Sequence, residues 1–363
     1  MIRHPESRMH SAAENTARFA SFYRGRRVCV TGGAGFIGSH LCDALLQHGA
    51  IVSVIDDLSN GLRENLGTGA GNLALSPDAR RPAAHASALR FVEGSILDQA
   101  ELKQAMEGAE IVFHQAALAS VPRSVKEPRL YFEVNARGTL EVLEAARALG
   151  VGRIIYAASS SVYGDSAQLP KIESMQPLPL SPYASAKFAG EHFIRTYCHC
   201  FGLSGVSLRY FNIFGPRQRP DSPYAAVLPR FIEALMSGNK PVIYGDGTQT
   251  RDFTFVANAV HANLLAGACE KPLRGESINI ACGESFSLLH LLQAVAAHLG
   301  VKAQCEHAPA RVGEVMHSRA SIEAARNLIG YAPVVDFRTG LERTLASYRS
   351  TDGAKQIKTQ VNG

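Results

Sequence analysis

The 363-residue chain has no uninterrupted apolar run of about 18 residues, which excludes a membrane-spanning helix. It has no block of five or more like charges, and its net charge of +5 is spread along the chain. A nucleic-acid-binding tract and an acidic tail are both excluded, so no nucleic-acid partner is expected. The opening stretch "MIRHPESRMHSAAENTARFASFYRGRR" lacks the apolar core that a signal peptide needs. Cysteine is sparse. The seven (Cys29, Cys42, Cys198, Cys200, Cys269, Cys282, Cys305) are odd in number and sit mostly inside apolar runs. That pattern argues against a disulfide framework and implies reduced thiols in a cytoplasmic protein. "YCHCF" groups Cys198, His199 and Cys200, but no second pair follows at ligand spacing, so no metal site is expected.

What is there is the balance of a soluble globular protein with a large core, 46% hydrophobic and 19% charged. The length suits two domains, or one large α/β domain with an attached lobe. From Arg27 onward, short β-branched runs alternate with helical stretches. "RVCVT" (27–31), "IVSVI" (51–55), "ALRFVEG", "EIVFH" (110–114) and "RIIYAAS" (153–159) read as strands. Helices such as "FIGSHLCDALLQHG" and "GTLEVLEAARALG" fall between them. Apolar strands alternating with helices predict an α/β fold, a Rossmann-type doubly wound parallel sheet covered on both faces. Residues 1–26 read as a mobile arm or short helix, and 27–211 as a dinucleotide-binding domain. Residues 212–350 read as a smaller C-terminal substrate lobe interleaved with the sheet, and 351–363 as a frayed tail. The Gly-, Ala- and Pro-rich segment 67–87 reads as an exposed loop.

"TGGAGFIGSH" holds Gly33, Gly35 and Gly38 in G-x-G-x-x-G spacing, and Gly32 extends it to G-x-x-G-x-x-G. The motif follows the first strand and opens the first helix, the context a pyrophosphate site requires. Glycines allow close backbone approach, and the helix N-terminus offers N–H groups to phosphate. The second strand ends in Asp56-Asp57, about 20 residues on. A carboxylate there binds ribose hydroxyls and repels a 2′-phosphate, which favours NAD over NADP.

"YAASSSVYGD" runs on from the fifth strand and brings Ser159, Ser160 and Ser161 to the carboxyl end of the sheet. In "SPYASAKFAGEH", Tyr183 and Lys187 stand four apart, on one helical face. A phenol beside an ammonium and a cationic nicotinamide has its phenolate favoured. Tyr183 is then a general base, Lys187 its pKa modifier and a ligand of the nicotinamide ribose, and Ser159 a hydrogen-bond partner of the reacting oxygen.

In order along residues 27–350, "TGGAGFIGSH", "DDLSNG", "HQAA", "SSSVYGD", "SPYASAK", "LRYFNIFGPRQ" and "TRDFTFV" resemble the extended short-chain dehydrogenase/reductases, specifically the sugar-nucleotide epimerase/dehydratase family. The resemblance implies an NAD site built from Gly32, Gly35, Phe36, Ile37, Gly38, Asp56 and Asp57. Ser59, Asn60 and Gly61 of "DDLSNG" join it, with Ala116 and Ala117 of "HQAA", Asn135, Tyr183, Lys187 and Tyr210. Ser95, with Ile96 beside it in the cofactor site, stands where the family often has an acid that binds adenine; serine here implies a weaker adenine contact. The resemblance implies hydride abstraction from a sugar C4. Family dehydratases carry an Asp-Glu pair before "VYG"; Ser160-Ser161 stand there instead, which disfavours elimination and leaves 4-epimerisation.

Arg251 and Arg311 match family arginines that clamp the substrate diphosphate, Asn212 matches a residue of the phosphate and sugar region, and Tyr244 falls in the uracil pocket. Small residues at Ala119, Ser120, Ala226 and Ser318, with Val227 beside them, leave room for a 2-acetamido group. Epimerases confined to plain hexoses have tyrosine at the place of Ser318. The pattern is similar to that of bacterial epimerases preferring UDP-N-acetylglucosamine or its uronic acid, with UDP-glucose left open. A net oxidoreductase, a dehydratase or decarboxylase, and a non-catalytic NAD-binding protein are the competing classes; the intact Tyr183/Lys187 pair argues against the last. The helical stretches 138–149 and 183–201 imply a homodimer, an expectation that a solution mass checks.

Overall fold

The computed structural model describes residues 12–67, 88–219, 227–309 and 315–361. The first half runs α1 (Ala12–Tyr23), β1 (Arg27–Thr31), α2 (Phe36–Gln47), β2 (Ile51–Asp56), β3 (Leu89–Glu93), α3 (Gln99–Met106), β4 (Ile111–His114), α4 (Val121–Lys126), α5 (Pro128–Tyr131), α6 (Gly138–Ala148), β5 (Arg153–Ser159), α7 (Pro182–Phe201) and β6 (Ser204–Tyr210). The second half adds β7 (Ile213–Phe214), α8 (Val227–Met236), β8 (Val242–Tyr244), β9 (Thr250–Arg251), β10 (Thr254–Phe255), α9 (Val256–Gly267), β11 (Arg274–Ile280), β12 (Phe286–Ser287), α10 (Leu288–Leu299), β13 (Glu306–Ala308), α11 (Glu323–Ile329) and α12 (Phe337–Val361).

Seven strands form one parallel sheet in the order β11-β6-β5-β4-β1-β2-β3. Val30 of β1 pairs with Val54 on one side and Phe113 on the other. The order reverses between β1 and β4, which opens a crevice at the carboxyl ends of those strands. Burial of both faces explains the near-continuous apolar strands: β4 is buried at every position. One face packs α2 and α9 through residues such as Leu41, Leu45, Leu264 and Leu265. The other packs α3, α6 and α7 through Leu102, Val142, Leu143 and Ile194. The predicted fold class is therefore the observed one. The smaller strands pair locally, β7 with β10, β8 with β13 and β9 with β12, and build the lobe beyond the sheet's edge.

Three features refine the sequence reading. Residues 12–23 form a helix, one of the two forms expected of the arm, and it belongs to the core. Phe19 and Tyr23 are fully buried, and the Tyr23 hydroxyl donates to the Leu264 carbonyl at 2.8 Å. The sheet has two strands beyond the five expected, β6 and β11. Their apolar pattern is broken by Ser207, Arg209 and Asn279, all buried within the fold. The last stretch, read as a frayed tail, is drawn as a continuation of α12 as far as Val361. Most of the 67–87 loop lies outside the described residues.

Because Phe19 belongs to the core, Phe19→Ala is expected to cost about 3–5 kcal/mol, a truncation of the same size as in any well-packed interior. Urea unfolding monitored by circular dichroism measures it; a loss below about 1 kcal/mol would return α1 to the status of an arm.

Candidate active site

The crevice is built from backbone. Gly32 follows β1 with φ of 68°, and a Cβ there would meet the Ala116 backbone at 2.6 Å. A Cβ at Gly38 would run into the Gly32 carbonyl oxygen. These two positions need glycine because the β1 turn, the loop after β4 and the start of α2 touch through main chain alone. The α2 N-cap, Gly35, brings no capping side chain, so the first N–H groups of the helix carry no side-chain partner there.

Asp56 ends β2 beneath this turn. Its Oδ2 accepts from the Ala34 N–H and its Oδ1 from the Leu58 N–H, both at 2.9 Å. The Gly35 N–H bonds to the same carboxylate as well. Burial raises the Asp56 carboxyl above its ordinary range, opposed by those backbone bonds. Gly61 lies against the same carboxylate, where a Cβ would meet Oδ1 at 2.7 Å. Asp57 is exposed and accepts from Ser59 N at 2.9 Å; Asn60 is exposed beside it. Phe36 and Ile37 are half-buried in the first turn of α2.

Two expected cofactor residues are bound to the fold's own groups. Ser95 Oγ accepts from Leu97 N at 3.2 Å, while Ser95 N donates to Glu101 at 2.7 Å. The Tyr210 hydroxyl donates to Gln115 at 3.1 Å and accepts from Asn263 at 2.7 Å. Ile96 is buried against Gly138. Asn135 is buried in a π-helical turn, Phe132–Arg137, and grips Leu118 through its N–H at 2.8 Å and its carbonyl at 2.9 Å. It thereby fixes the loop that carries Ala116, Ala117, Ala119 and Ser120. Ser120 caps α4 by accepting from Arg123 N at 3.2 Å, and its own N–H donates to the Tyr131 hydroxyl at 3.1 Å.

His114, at the end of β4, braces the floor. Thr139 donates to the Asn135 carbonyl at 2.7 Å, so it accepts from His114 Nε2 at 3.0 Å. Nδ1 then accepts from Thr31 at 2.7 Å. Burial, with Lys187 nearby, pulls the imidazole down to about 3. With one ring nitrogen donating and the other accepting, it is placed as the neutral imidazole.

The structure brings Ser159, Tyr183 and Lys187 together. Ser159 leaves β5 and hydrogen-bonds the Tyr183 phenol; it also accepts from Ser161 Oγ at 2.9 Å and Ser161 N at 3.2 Å. Ser181 caps α7 by accepting from Ala184 N at 3.1 Å, and Pro182 opens the helix as N1. The helix then stacks Tyr183 over Lys187. Tyr131 packs edge-on against Tyr183, ring centroids 6.3 Å apart. Burial raises the phenol and the Ser159 bond lowers it. Lys187 is 3% exposed. Its ammonium donates to the Ala157 carbonyl at 2.8 Å and lies 5.0 Å from the centroid of the Tyr156 ring. Burial, opposed by Glu191, brings it down from 10.5 to about 7.

A cleft of about 350 Å³ opens among α8, β8 and β9. Asn212, Val227, Tyr244 and Arg251 all line it, four residues the sequence reading assigned to substrate. Asn212 adopts φ of 38° and donates to the Asp252 carbonyl at 3.2 Å. Arg230, on α8, lines the same cleft. The sequence reading passed over it because α8 reads as an ordinary amphipathic helix; a cation among its apolar residues was the available signal. Ala226 and Arg311 lie outside the described residues.

Ser318 sits in a wall of chain beside β9, the strand that carries Arg251 of the cleft. Its N–H donates to the Thr250 carbonyl at 3.1 Å. Met316 N donates to Asp165 at 3.2 Å, and Lys171 N to the Arg319 carbonyl at 2.7 Å. Ala320 N donates to Asp252 at 3.1 Å. The wall is thus held between β9 and the loop that follows Ser159–Ser161.

The family model of NAD-dependent epimerases and dehydratases matches residues 28–281. The chain belongs to that family. A UDP-glucose 4-epimerase of Mycolicibacterium smegmatis is 36% identical over 331 residues, 89% of this chain and 99% of that one. The solved UDP-N-acetylglucosamine 4-epimerase of Methanobrevibacter ruminantium M1, in complex with UDP-N-acetylmuramic acid, is 36% identical with TM-score 0.82, covering 90% of this chain and 99% of that one. The Thermus thermophilus UDP-glucose 4-epimerase, in complex with NAD, is 34% identical with TM-score 0.77, covering 89% and 99%. The protein is accordingly an NAD-dependent enzyme, and the glycine cradle, the uncapped α2 N-terminus and the Asp56 carboxylate fit a dinucleotide. Among the described residues no group of His, Cys, Asp and Glu could hold a metal ion, and no helix is long and apolar enough to cross a membrane.

Gly38→Ala is expected to abolish NAD binding in a protein that still folds, since its methyl group enters the turn itself; NAD titration by calorimetry measures this. Lys187 gives a second expectation. Between pH ~7 and ~10 the unfolded chain binds a proton that the folded chain releases, so this residue makes stability rise with pH across that window. Lys187→Met should flatten the rise by up to ~1.4 kcal/mol per pH unit, read from urea midpoints at a series of pH values.

Proposed function

We propose that the protein is a UDP-N-acetylglucosamine 4-epimerase, interconverting UDP-N-acetylglucosamine and UDP-N-acetylgalactosamine through a 4-keto sugar. The observation that carries the reading is Ser318, 8% exposed, in the wall between β9 and the loop after Ser159. Serine is far smaller than tyrosine, and in this reading the difference is the room an acetamido group takes. The Methanobrevibacter ruminantium structure supports the same sugar class. The Mycolicibacterium smegmatis relative bears the name of a plain-hexose enzyme, so the argument rests on the wall. Elimination needs an acid and a base beside C5 and C6. Ser160 and Ser161 are hydroxyls, and the Ser161 hydroxyl donates to Ser159.

In this reading Tyr183 takes the proton of the sugar 4-hydroxyl and later returns it. Ser159 holds the same oxygen. Lys187, when charged, favours the phenolate. NAD, held by the glycine turn and the Asp56 carboxylate, would supply reversible hydride chemistry at C4, so no external reductant would be consumed. Arg251 holds the nucleotide end, where a guanidinium suits a diphosphate, and Asn212 lines the same cleft. The hexose is left free to turn over within the pocket.

A panel of UDP-sugars with separated products tests this. Wild type is expected to convert the acetylated pair without net NADH. In Ser318→Tyr the ratio of kcat/KM for acetylated over plain hexose should fall at least ~10-fold, since a side-chain-sized change in a pocket carries about that much discrimination. Wild-type turnover of UDP-glucose at least ~10-fold better than of the acetylated sugar would overturn the reading.

A further inference from the structure

The stripe of α7 that carries Tyr183 and Lys187 does not stop there. One turn on stands Glu191, also buried, 4% exposed. Helical spacing puts Tyr183, Lys187 and Glu191 on one face, each a turn from the next. Glu191 forms a buried ion pair with Arg209 of β6. The guanidinium donates through Nε at 2.9 and 3.2 Å and through Nη2 at 2.7 Å. Ser277 of β11 donates to the same carboxylate at 2.9 Å. Arg209 is turned further by Nη1, which donates to the Tyr163 hydroxyl at 2.8 Å; Tyr163 donates in turn to Asn279 at 2.7 Å.

A buried ion pair is a poor source of stability, because desolvating two charges offsets their attraction. Holding α7 to the sheet does not require it, since apolar residues of similar volume do that as well. Its position suggests a second role. Lys187 is useful to Tyr183 only while it carries its proton, and burial works against that. Among the described residues, the charged and titratable groups facing Lys187 are few. Tyr183 and Glu191 stand on its own helix; Tyr156 of β5 presents a ring face; His114 of β4 is neutral. Arg209 of β6 lies beyond Glu191 and is bound to it. Within that set Glu191 is the anion acting on Lys187, and it opposes the effect of burial.

We propose that Glu191, kept ionised by Arg209 and Ser277, is a positioning residue that holds Lys187 in its charged form beside Tyr183. Glu191 touches neither substrate nor cofactor. The role rests on the proposed reaction for its catalytic meaning, while the charge state of Lys187 can be read without any turnover.

Two variants test it. Glu191→Gln keeps the size but not the charge, and its amide nitrogen cannot accept the bond that one carboxylate oxygen takes from Arg209. The double variant Glu191→Met/Arg209→Met removes the pair altogether with apolar groups, the kind of replacement that folds as well as the pair it replaces. Lys187 titration is followed by Nζ NMR on lysine-labelled protein, the signal being identified by its loss in Lys187→Met. In both variants the midpoint should fall by about one pH unit, a ~10-fold change in the proton equilibrium. The kcat at pH 9 relative to pH 6 should fall about 5-fold with it, as the charged form becomes scarcer at pH 9 and in part at pH 6 too. A midpoint unmoved in the double variant overturns the proposal, and so does a moved midpoint with an unchanged kcat ratio. Absence of UDP-sugar turnover in wild type would instead overturn the proposed reaction, leaving the NMR midpoint to decide the role of Glu191.

Discussion

Everything in this molecule is measured from the point where Gly32 meets Ala116. β1 and β4 are neighbours whose connections leave to opposite faces, so nothing but backbone occupies the space where they part. A Cβ at Gly32 would fall 2.6 Å from the Ala116 main chain. Wedging these strands apart would displace the glycine turn in one direction and the 115–120 loop in the other. The Thr31–His114–Thr139 bonds lock the same junction from below. With that contact made, β5 delivers Ser159 and α7 delivers Tyr183 to one place without any flexible segment between site and sheet.

The second organising element is α7. Its capped start fixes Tyr183, its middle buries an ammonium, and its next turn buries a carboxylate. Few helices in a globular enzyme hide two charges on one stripe, because each burial is unfavourable unless partnered. Here the partners come from the sheet: the Ala157 carbonyl for Lys187, and Arg209 and Ser277 for Glu191. The face that presents Tyr183 and Lys187 is also the face that pairs with the sheet.

Much of this was legible in the sequence because it is local. A strand, a glycine turn, an apolar helix and a terminal Asp pair are read in order, and so are Tyr183 and Lys187 at one-turn spacing. What was not legible depends on distant partners. β6 and β11 were obscured since Arg209, Ser207 and Asn279 break the apolar rhythm, and the bonds that satisfy Arg209 and Asn279 come from residues far along the chain. Tyr210 and Ser95 look available for a ligand in isolation, yet their hydroxyls bond to Gln115, Asn263 and Leu97. The helical face of Arg230 toward the cleft could be known only once α8 had been placed against α10.

The wall around Ser318 is pinned by main-chain groups: Met316 to Asp165, Ser318 to Thr250, Lys171 to Arg319 and Ala320 to Asp252. The Ser318 hydroxyl takes no part in any of these bonds. Backbone position and side-chain identity are therefore separate properties at this site. A lineage can exchange the residue at 318 by a single substitution while the wall stays where it is. Divergence in sugar choice among relatives of this fold needs no accompanying change in architecture, and chains of nearly the same shape can differ in substrate.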